Sequence, residues 1–542
     1  LKNSLFIFFL FIIIFSCRKE DKPLPAFRIL NYQVSGNTQS PARGINVNPE
    51  IKIDCNAPID ISSFESGIIV TGLNQKIAVS FTTENNDSTL LIRPLTDLNY
   101  LTTYTFSINT TLKAKTGQNF ETGFTSSFTT GIDSSYKFPQ LTKENLLDSI
   151  QRKTFRYFWE FAHPVSGLSR ERNTSGDLVT SGGSGFGIMS IIVGIHRNFI
   201  SRQQGLERMT TITDFLLTKA DRFHGAFPHW LSGSTGKTIP FSTRDNGGDL
   251  VETSYLIAGL LCASEFFDRT NNEETELRNN IKEIWEGVEW NWYTKNNENV
   301  LYWHWSPDFN WQMNLKIQGY NEALITYILA ASSPTHPISK EVYEQGWAKN
   351  GSIKNGKSYY GLTLPLGYDF GGPLFFSHYT FLGIDPRNLK DQYGDYWQQG
   401  VQHSLINHAH CTRNPRNFYG YSDVCWGLTA SDTNNGYAAH SPTNDLGVIS
   451  PTAALSSMPY TPDESMKTLE YFYYILGDKL YKDYGFIDAF NLHNLWFASS
   501  FLAIDQGPII IMIENYRSGL LWNYTMQNKD VRQGLDKLGF TY

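Results

Sequence analysis

The sequence predicts a multidomain chain in which an all-β sandwich precedes a larger all-α domain of paired helices closed into an (α/α)6 barrel. Three observations carry this. From about Phe27 to Thr130, apolar and polar residues alternate in short runs broken by Asn, Gly, Pro and Asp, the two-residue period of half-buried strands. From Leu141 onward the period changes to three and four residues, which gives eleven or twelve helical stretches and little strand signal. The loops between those stretches are long and rich in Gly, Pro and aromatics, which suits a barrel better than a bundle with short connections.

The elements follow in order. "LKNSLFIFFLFIIIFSC" has one Lys and then an apolar run shorter than the roughly 20 residues of a spanning helix. Residues 1–17 are therefore expected to be a signal peptide of the lipoprotein kind, with Cys17 as the lipidated residue. The following "CRKED" resembles the export tag of surface lipoproteins in Bacteroidetes-type bacteria, so an outer-membrane lipoprotein at the cell surface or in the periplasm is expected. Phe15 departs from the small residue usual before such a cysteine, and a plain secretory signal is the alternative. Residues 18–27 read as a tether. Residues 28–131 hold about seven short strands and resemble bacterial Ig-like domains through "PARGINVNP", "LNYLTTYTF" and the closing Phe128-Thr129-Thr130. Residues 132–140 read as a linker, and 141–542 as the helical domain. It opens at "TKENLLDSIQRKTFRYFWEFA" with Thr142 as cap. Further helices are expected near 183–200, 205–222, 249–268, 274–291, 319–332, 392–410, 443–457, 463–476, 488–503 and 507–526.

Composition narrows the function. A net charge of −7 argues against a nucleic-acid binder. The 13 Trp, 29 Tyr and 36 Phe often stand beside Gly, His, Asn and Asp, a mixture that lines wet sugar clefts and also occurs in large cores. Cys55, Cys262, Cys411 and Cys425 form no zinc pattern, although Cys411 and Cys425 could pair in an oxidising compartment. "SGGSGFG" lacks the preceding strand of a nucleotide fold, and H-E-x-x-H and G-x-S-x-G are absent. His403, His408 and His410 do not share a helical face well. No metal and no cofactor is expected, and a peptidase or esterase lacks its nucleophile motif.

The candidate chemistry begins in "FSTRDNGGDLVETSYLIAGLL". Asp249 and Glu252 form a D-x-x-E pattern of the capping-box kind, which leaves Asp245, Arg244 and Asn246 unexplained. A carboxylate at a helix N-terminus is favoured in its charged form, which suits a base or an anchor. Glu322 follows Gly319-Tyr320-Asn321, with Trp303, Trp305 and Trp311 nearby. Aromatic walls would raise its pKa, as a general acid requires, and a first-turn structural Glu is the alternative. Asp505 stands before Gly507-Pro508 and could be a loop cap, while Glu514 could pair with Arg517. Sugar-facing loops are expected around His229 and Trp230, around Tyr368, Asp369 and His378, and around Tyr421, Trp426 and Asp432.

These loops, with "YWHWSPDFNWQMN", "GYNEALITYILAASSPTHP", "GGPLFFSHYTFLGIDP", "SPTAALSSMPYTPDES" and "AIDQGPIIIMIENYRSGLLW", resemble the glucoamylase-like domain of glycoside hydrolase family 144. The likeness runs in chain order from about residue 141 to 540. It implies an (α/α)6 barrel that hydrolyses β-1,2-glucan with inversion. It implies cleft acids at Asp245, Asp249, Glu252 and Glu322, positions at which this chain does not depart from the family pattern. On that basis Glu322 is expected to be the general acid, and Asp249 or Asp245 to guide the water. Asp505 is an alternative base, and Glu252 positions substrate or a partner acid. An inverting pair would stand about 6.5–9.5 Å apart. Substrate contacts are expected from His229, Trp230, Arg244, Trp303, Trp305, Trp311, Tyr320, Asn321, Tyr368 and Trp426. The expected product is sophorose or short sophoro-oligosaccharides, made by a monomer whose partners are a β-linked glucan and, through a lipid anchor, the outer membrane. A surface glycan-binding protein without turnover, or the same barrel acting on another linkage, are the alternatives.

Overall fold

The computed structural model describes residues 24–542 and divides into two compact units, the first ending at Asp133 and the second Ser134–Tyr542. The expected signal peptide, Cys17 and most of the expected tether lie outside the described residues. Among the described residues no helix is long and apolar enough to cross a membrane.

Among its described residues the first unit contains nine strands: β1 (Ile29–Val34), β2 (Ala42–Ile45), β3 (Ile51–Cys55), β4 (Ile68–Gly72), β5 (Gln75–Lys76), β6 (Val79–Glu84), β7 (Thr89–Pro94), β8 (Thr103–Ile108) and β9 (Phe124–Thr130). One sheet runs β1-β3-β7-β6 and the other β2-β9-β8-β4-β5. All pairings are antiparallel except β2 with β9. Ile51, Ile53 and Cys55 alternate inward along β3, as do Tyr104, Phe106 and Ile108 along β8, and they meet in one core with Leu90, Ile92 and Phe128. Tyr104 keeps its hydroxyl satisfied in that core by accepting from the Asn99 amide at 2.9 Å. The β6–β7 hairpin turns through Asn85, Asn86 and Asp87, all at positive φ, where short polar side chains are tolerated.

The second unit is a toroid of six helical pairs. The inner members are Ser181–His196, Leu250–Phe266, Leu324–Ser332, the 3-10 turns at Leu374–Ser377 and Thr380–Leu382, Pro451–Ser456 and Ala503–Ser518. Their outer partners are Lys143–Trp159, Arg202–Thr218, Asn272–Glu286, Lys340–Trp347, Tyr396–Arg413 and the stretch from Pro462 to Ile475. Inner helices are buried nearly all round, so they read as continuous apolar runs, whereas outer helices bury one stripe. Direct contacts close the ring. Ser254 Oγ donates to Thr326 Oγ1 (2.9 Å), and Thr380 Oγ1 accepts from the Ile325 amide (3.1 Å). His378 Nε2 meets Ser457 Oγ (3.0 Å), and Thr452 Oγ1 donates to the Asp505 carbonyl (2.8 Å). Gly507 packs on Phe186, so close that a Cβ there would stand 2.5 Å from the Phe186 Cβ.

The "SGGSGFG" run is explained by the same closeness. It forms the first two turns of the Ser181–His196 helix, whose neighbour Leu250–Phe266 comes into backbone contact with it. A Cβ on Gly185 would lie 2.0 Å from the Tyr255 carbonyl oxygen, and one on Gly259 would lie 2.4 Å from the Gly185 carbonyl oxygen.

Several expectations need correction. Residues 488–503 form no helix; they carry the short strands Phe490–Asn491 and Trp496–Phe497, because Asn491, His493 and Asn494 interrupt the apolar run with turn-forming side chains. The last inner helix begins at Ala503, so Asp505 belongs to its first turn and Pro508 lies inside it. Two further helices, Leu520–Gln527 and Lys529–Leu538, follow. Glu514 pairs with Arg197 (2.6 Å) while Arg517 reaches Glu144 (2.7 Å). The linker's end is docked, with Tyr136 stacked on Tyr474 at 4.9 Å and Phe138 4.7 Å from Tyr473. Cys55, Cys262, Cys411 and Cys425 are all free and buried, so Cys411 and Cys425 do not pair.

Gly185→Ala should cost about 1–3 kcal/mol of stability, because the methyl group must force two packed backbones apart. Chemical denaturation of the variant, with the midpoint unchanged from wild type, would refute backbone contact there.

Candidate functional site

Each inner helix presents its N-terminus to one rim, and the loops that enter those helices form the site. A cavity of about 500 Å³ opens there, lined by Glu252, Glu322, His229, Trp230, Trp303 and Tyr255 among others. This is the size range of small-molecule sites.

Asp249 is the centre of the arrangement. It forms a two-residue antiparallel ladder with His304–Trp305, in which Asp249 faces His304. Its Oδ1 caps the next helix by accepting from the amides of Val251 (3.0 Å) and Glu252 (2.9 Å). Its Oδ2 meets His229 Nδ1 at 3.1 Å, His304 Nε2 at 3.4 Å and Trp303 Nε1 at 3.3 Å. Burial alone would raise its pKa, but hydrogen bonds from the two histidines outweigh that and hold the carboxyl well below its ordinary value. Asp245 completes the cluster with Oδ2 3.2 Å from His304 Nε2. Burial disfavours both imidazolium ions, yet the surrounding carboxylates lift His229 to about 9 and His304 to about 10.

His229, Asp245 and Asp249 offer atoms within 4.8 Å of one another, close enough to hold a metal ion. The donors fit that role poorly near neutral pH. A metal needs neutral imidazole, whereas His229 keeps its proton, and the positive ring of His304 already stands between the two aspartates.

Glu252 departs from the capping-box expectation. Its carboxylate does not turn back on Asp249; it crosses to the neighbouring helix, where Oε2 accepts from the Gly182 amide at 2.8 Å and Thr180 Oγ1 at 3.3 Å. Gly182 permits this, since a Cβ there would lie 2.5 Å from that oxygen. Burial, with the charge of Asp249 adding to it, raises the Glu252 pKa. Glu322 precedes the Leu324–Ser332 helix, and its carbonyl accepts from Thr380 Oγ1 at 2.8 Å. Its carboxyl lines the cavity, and burial, followed by the carboxylates of Glu252 and Asp249, pushes its pKa up to about 7.

Across the ring, Asp505 is buried beside Asp488. Burial raises both carboxyls; the charge of Asp488 lifts Asp505 further, whereas the hydrogen bond from Asp505 pulls Asp488 back to about 7, so the pair retains a proton near neutrality, held on Asp505. Asp488 Oδ2 accepts from the Asp432 amide at 2.7 Å, and Asp432 is bridged at 3.2 Å by Arg172, which also holds Glu171.

Of the expected substrate contacts, His229, Trp230 and Trp303 line the cavity. Trp305 and Trp311 pack instead with Trp292; Trp305 follows His304 in the ladder and points to the opposite face, and Trp311 lies beyond the ladder. Tyr320 is interior, its hydroxyl 2.9 Å from Ser377 Oγ, and Trp426 is fully buried. Asn321 accepts from the Ala323 amide at the helix entry (2.9 Å). Arg244 is exposed beside the cluster, and Tyr368 is exposed on a separate recess with Asp369 and Lys357. His378 and Tyr421 are interior, and His403, His408 and His410 bind Ser377, the Asp423 carbonyl and Asp445 respectively without converging. Residues missed from the sequence are His304, Tyr255, Tyr379, Phe241, Tyr437, Glu171 and Arg172. "SRERN" was a legible signal for the last two, as an isolated charge cluster in a loop.

A toroid of helix pairs with an acid-bearing, aromatic-walled cleft over its inner N-termini, following an Ig-like sandwich, is the class these features define. The comparisons agree. Residues 34–130 match the family model of the bacterial Ig-like domain, and residues 314–529 match the one described as "Putative glucoamylase". A solved protein of that same description from Bacteroides uniformis is 54% identical, with 74% of this chain and 99% of that one covered at a TM-score of 0.73. The endo-β-1,2-glucanase from Chitinophaga pinensis is 53% identical over the same shares, also at 0.73. A curated relative, the exo β-1,2-glucooligosaccharide sophorohydrolase of Parabacteroides distasonis, is 46% identical over 421 residues; the match covers 73% of this chain and 58% of that protein. The chain belongs to the glucoamylase-like family.

The two histidines give the site a pH signature. Their folded pKa values stand above the ordinary 6.5, so the stability they contribute is complete below that value and lost as pH rises through about 9 to 10. Imidazole NMR titration should show two rings still charged at pH 8, and the melting temperature should fall on the alkaline side. Both rings titrating near 6.5 would refute the cluster.

Proposed function

We propose that this protein is an inverting glycoside hydrolase that cleaves β-1,2-glucan to sophoro-oligosaccharides. The observation that carries the reading is Glu322, a cavity-lining carboxyl whose pKa is lifted to about 7 by burial beside other carboxylates. Such a group still carries its proton on about half of the molecules at neutral pH and can give it to a leaving glycosidic oxygen. The linkage rests on kinship with the Chitinophaga pinensis and Parabacteroides distasonis proteins, whose names state action on β-1,2-glucans.

The remaining acids then divide by their surroundings. Both oxygens of Asp249 are engaged by hydrogen-bond donors, so it anchors His229, His304 and the helix entry and is a poor proton acceptor. Glu252, tied to Gly182, orients substrate from the same wall. Asp505 stands in the first turn of the sixth inner helix and Glu322 in the loop entering the third, and those positions oppose each other in a ring of six. We therefore assign the base to the Asp505–Asp488 pair, in which Asp505 holds the shared proton and hydrogen-bonds Asp488, and Asp488 accepts the proton of water through an intervening hydroxyl. Placement in the cell envelope through a lipid on Cys17 is part of the same proposal and rests on the sequence alone.

Glu322→Gln should lower kcat on linear β-1,2-glucan by about 10²–10⁴-fold with the melting temperature nearly unchanged. Wild-type activity should fall as pH rises through about 7, as the acid loses its proton, and the variant should lose that limb. Near-normal turnover in Glu322→Gln removes it from the role. Asp249→Asn should lower the melting temperature as well as activity. Chromatography of the products over time separates internal cleavage from release of sophorose at a chain end, and no sugar from β-1,2-glucan, with turnover of another glucan, would overturn the linkage.

A further inference from the structure

We infer that the ring of Trp292 is an accessory docking platform for a glucosyl residue of a glucan chain, on the outer side of the wall that carries Asp249 and His304. The inference rests on the hydrolase reading for the polymer it names.

The platform is a built feature. Trp292 lies in the turn Trp290–Thr294, whose Trp290 and Tyr293 are fully buried, with Tyr293 Oη donating to the Phe223 carbonyl at 2.8 Å. Those two plugs fix the turn, and Trp292 is the aromatic that it leaves 40% exposed. Its indole is held against His224, centroids 3.7 Å apart and 16° from parallel. His224 is held in turn by Glu289 through Nδ1 (2.9 Å) and by the edge of Trp305 at 5.1 Å. Trp311 supports the indole from another side at 6.4 Å.

A shallow recess of about 260 Å³ adjoins the ring, lined by Glu289, Asn291, Asn296 and Asn297. The chain reaches it through three successive residues at positive φ: Lys295, Asn296 and Asn297, at 50°, 65° and 64°. A left-handed lysine is strained and persists only where its surroundings impose it. Here Lys295 is held by Asn314 Oδ1 at 2.7 Å and lies over the Tyr302 ring.

The chemistry of this surface is that of a sugar-binding face. An immobile indole meets the C–H face of a β-glucosyl ring with little ordering cost. Its equatorial hydroxyls radiate in the ring plane, where amides can donate and accept and a carboxylate can accept. The position adds a reason. His304 points to the catalytic cluster and the next residue, Trp305, backs the platform, so the two surfaces are separated by one two-residue ladder. A long chain bound in the cleft could engage both, whereas a short oligosaccharide could not, and linked sites raise apparent affinity through effective concentration.

The test uses the full chain. In native gels cast with linear β-1,2-glucan, the Glu322→Gln protein should be retarded, and adding Trp292→Ala should remove much of that retardation. In the otherwise unchanged chain, Trp292→Ala should raise KM for long glucan about fivefold or more, within the gain linked sites give, and leave kcat and the hydrolysis of short sophoro-oligosaccharides unchanged. The double variant Asn296→Ala, Asn297→Ala keeps the ring and should weaken retardation in the same direction, which decides the matter should Trp292→Ala prove unstable. Equal retardation with and without Trp292, or an equal loss on short and long substrates, overturns the platform. A wild-type protein held by a different glucan refutes the β-1,2 reading and leaves the platform standing if Trp292→Ala abolishes that retention too.

Discussion

A buried negative charge organises the second unit. Asp249 is fully buried, and an isolated carboxylate in that position would cost several kcal/mol. It is tolerated because five donors converge on it: two backbone amides of its own helix, two imidazoles and an indole. Those donors come from the 229, 249 and 303–304 loops, so satisfying one charge fixes three loops relative to the inner helices. The site is therefore positioned by electrostatics, and its rigidity comes from the stake in leaving no partner unpaired.

That charge can be satisfied only if the helices come close. Gly182, Gly185 and Gly259 remove side chains where the first two inner helices touch, and Gly182 opens its amide to Glu252. Close approach and charge placement are thus one design. The same geometry gathers Glu252 and Glu322 around Asp249, and their mutual repulsion in a dry environment adds to the burial that raises the first two. One charge held low makes its neighbours proton carriers, a division of labour among chemically similar groups.

Much of this was legible in the sequence, though unevenly. The switch of period near Leu141, the Thr142 cap and the D-x-x-E pattern are local signals, and each describes interactions within a few residues. Trp303 and Trp305 look alike in sequence, yet Trp303 lines the cavity and donates to Asp249 while Trp305 packs against His224 and Trp292, a difference set by the partners each meets in the fold. Tyr320 and Trp426 stand in loops that read as sugar-facing and are interior, because a long loop that folds over a barrel needs a core of its own. His304 presents the opposite case. It sits between two tryptophans, and nothing local reveals that residue 249 is its ladder partner.

What the sequence determined by itself is the list of parts: a strand-period unit, a helix-period unit, glycine runs for close approach, and acids at helix entries. Those follow from backbone preferences and the pairing of neighbours, which act over one or two turns of chain. The tertiary structure alone decided which acid is charged and which holds a proton, since a pKa depends on burial and on charges brought from remote loops. Asp249 and Glu252 lie three residues apart, yet the first is held far below its ordinary value and the second is raised. The difference is made by the hydrogen bonds of His229 and His304, which closure of the ring delivers to Asp249, whereas Glu252 feels only the charge of His229.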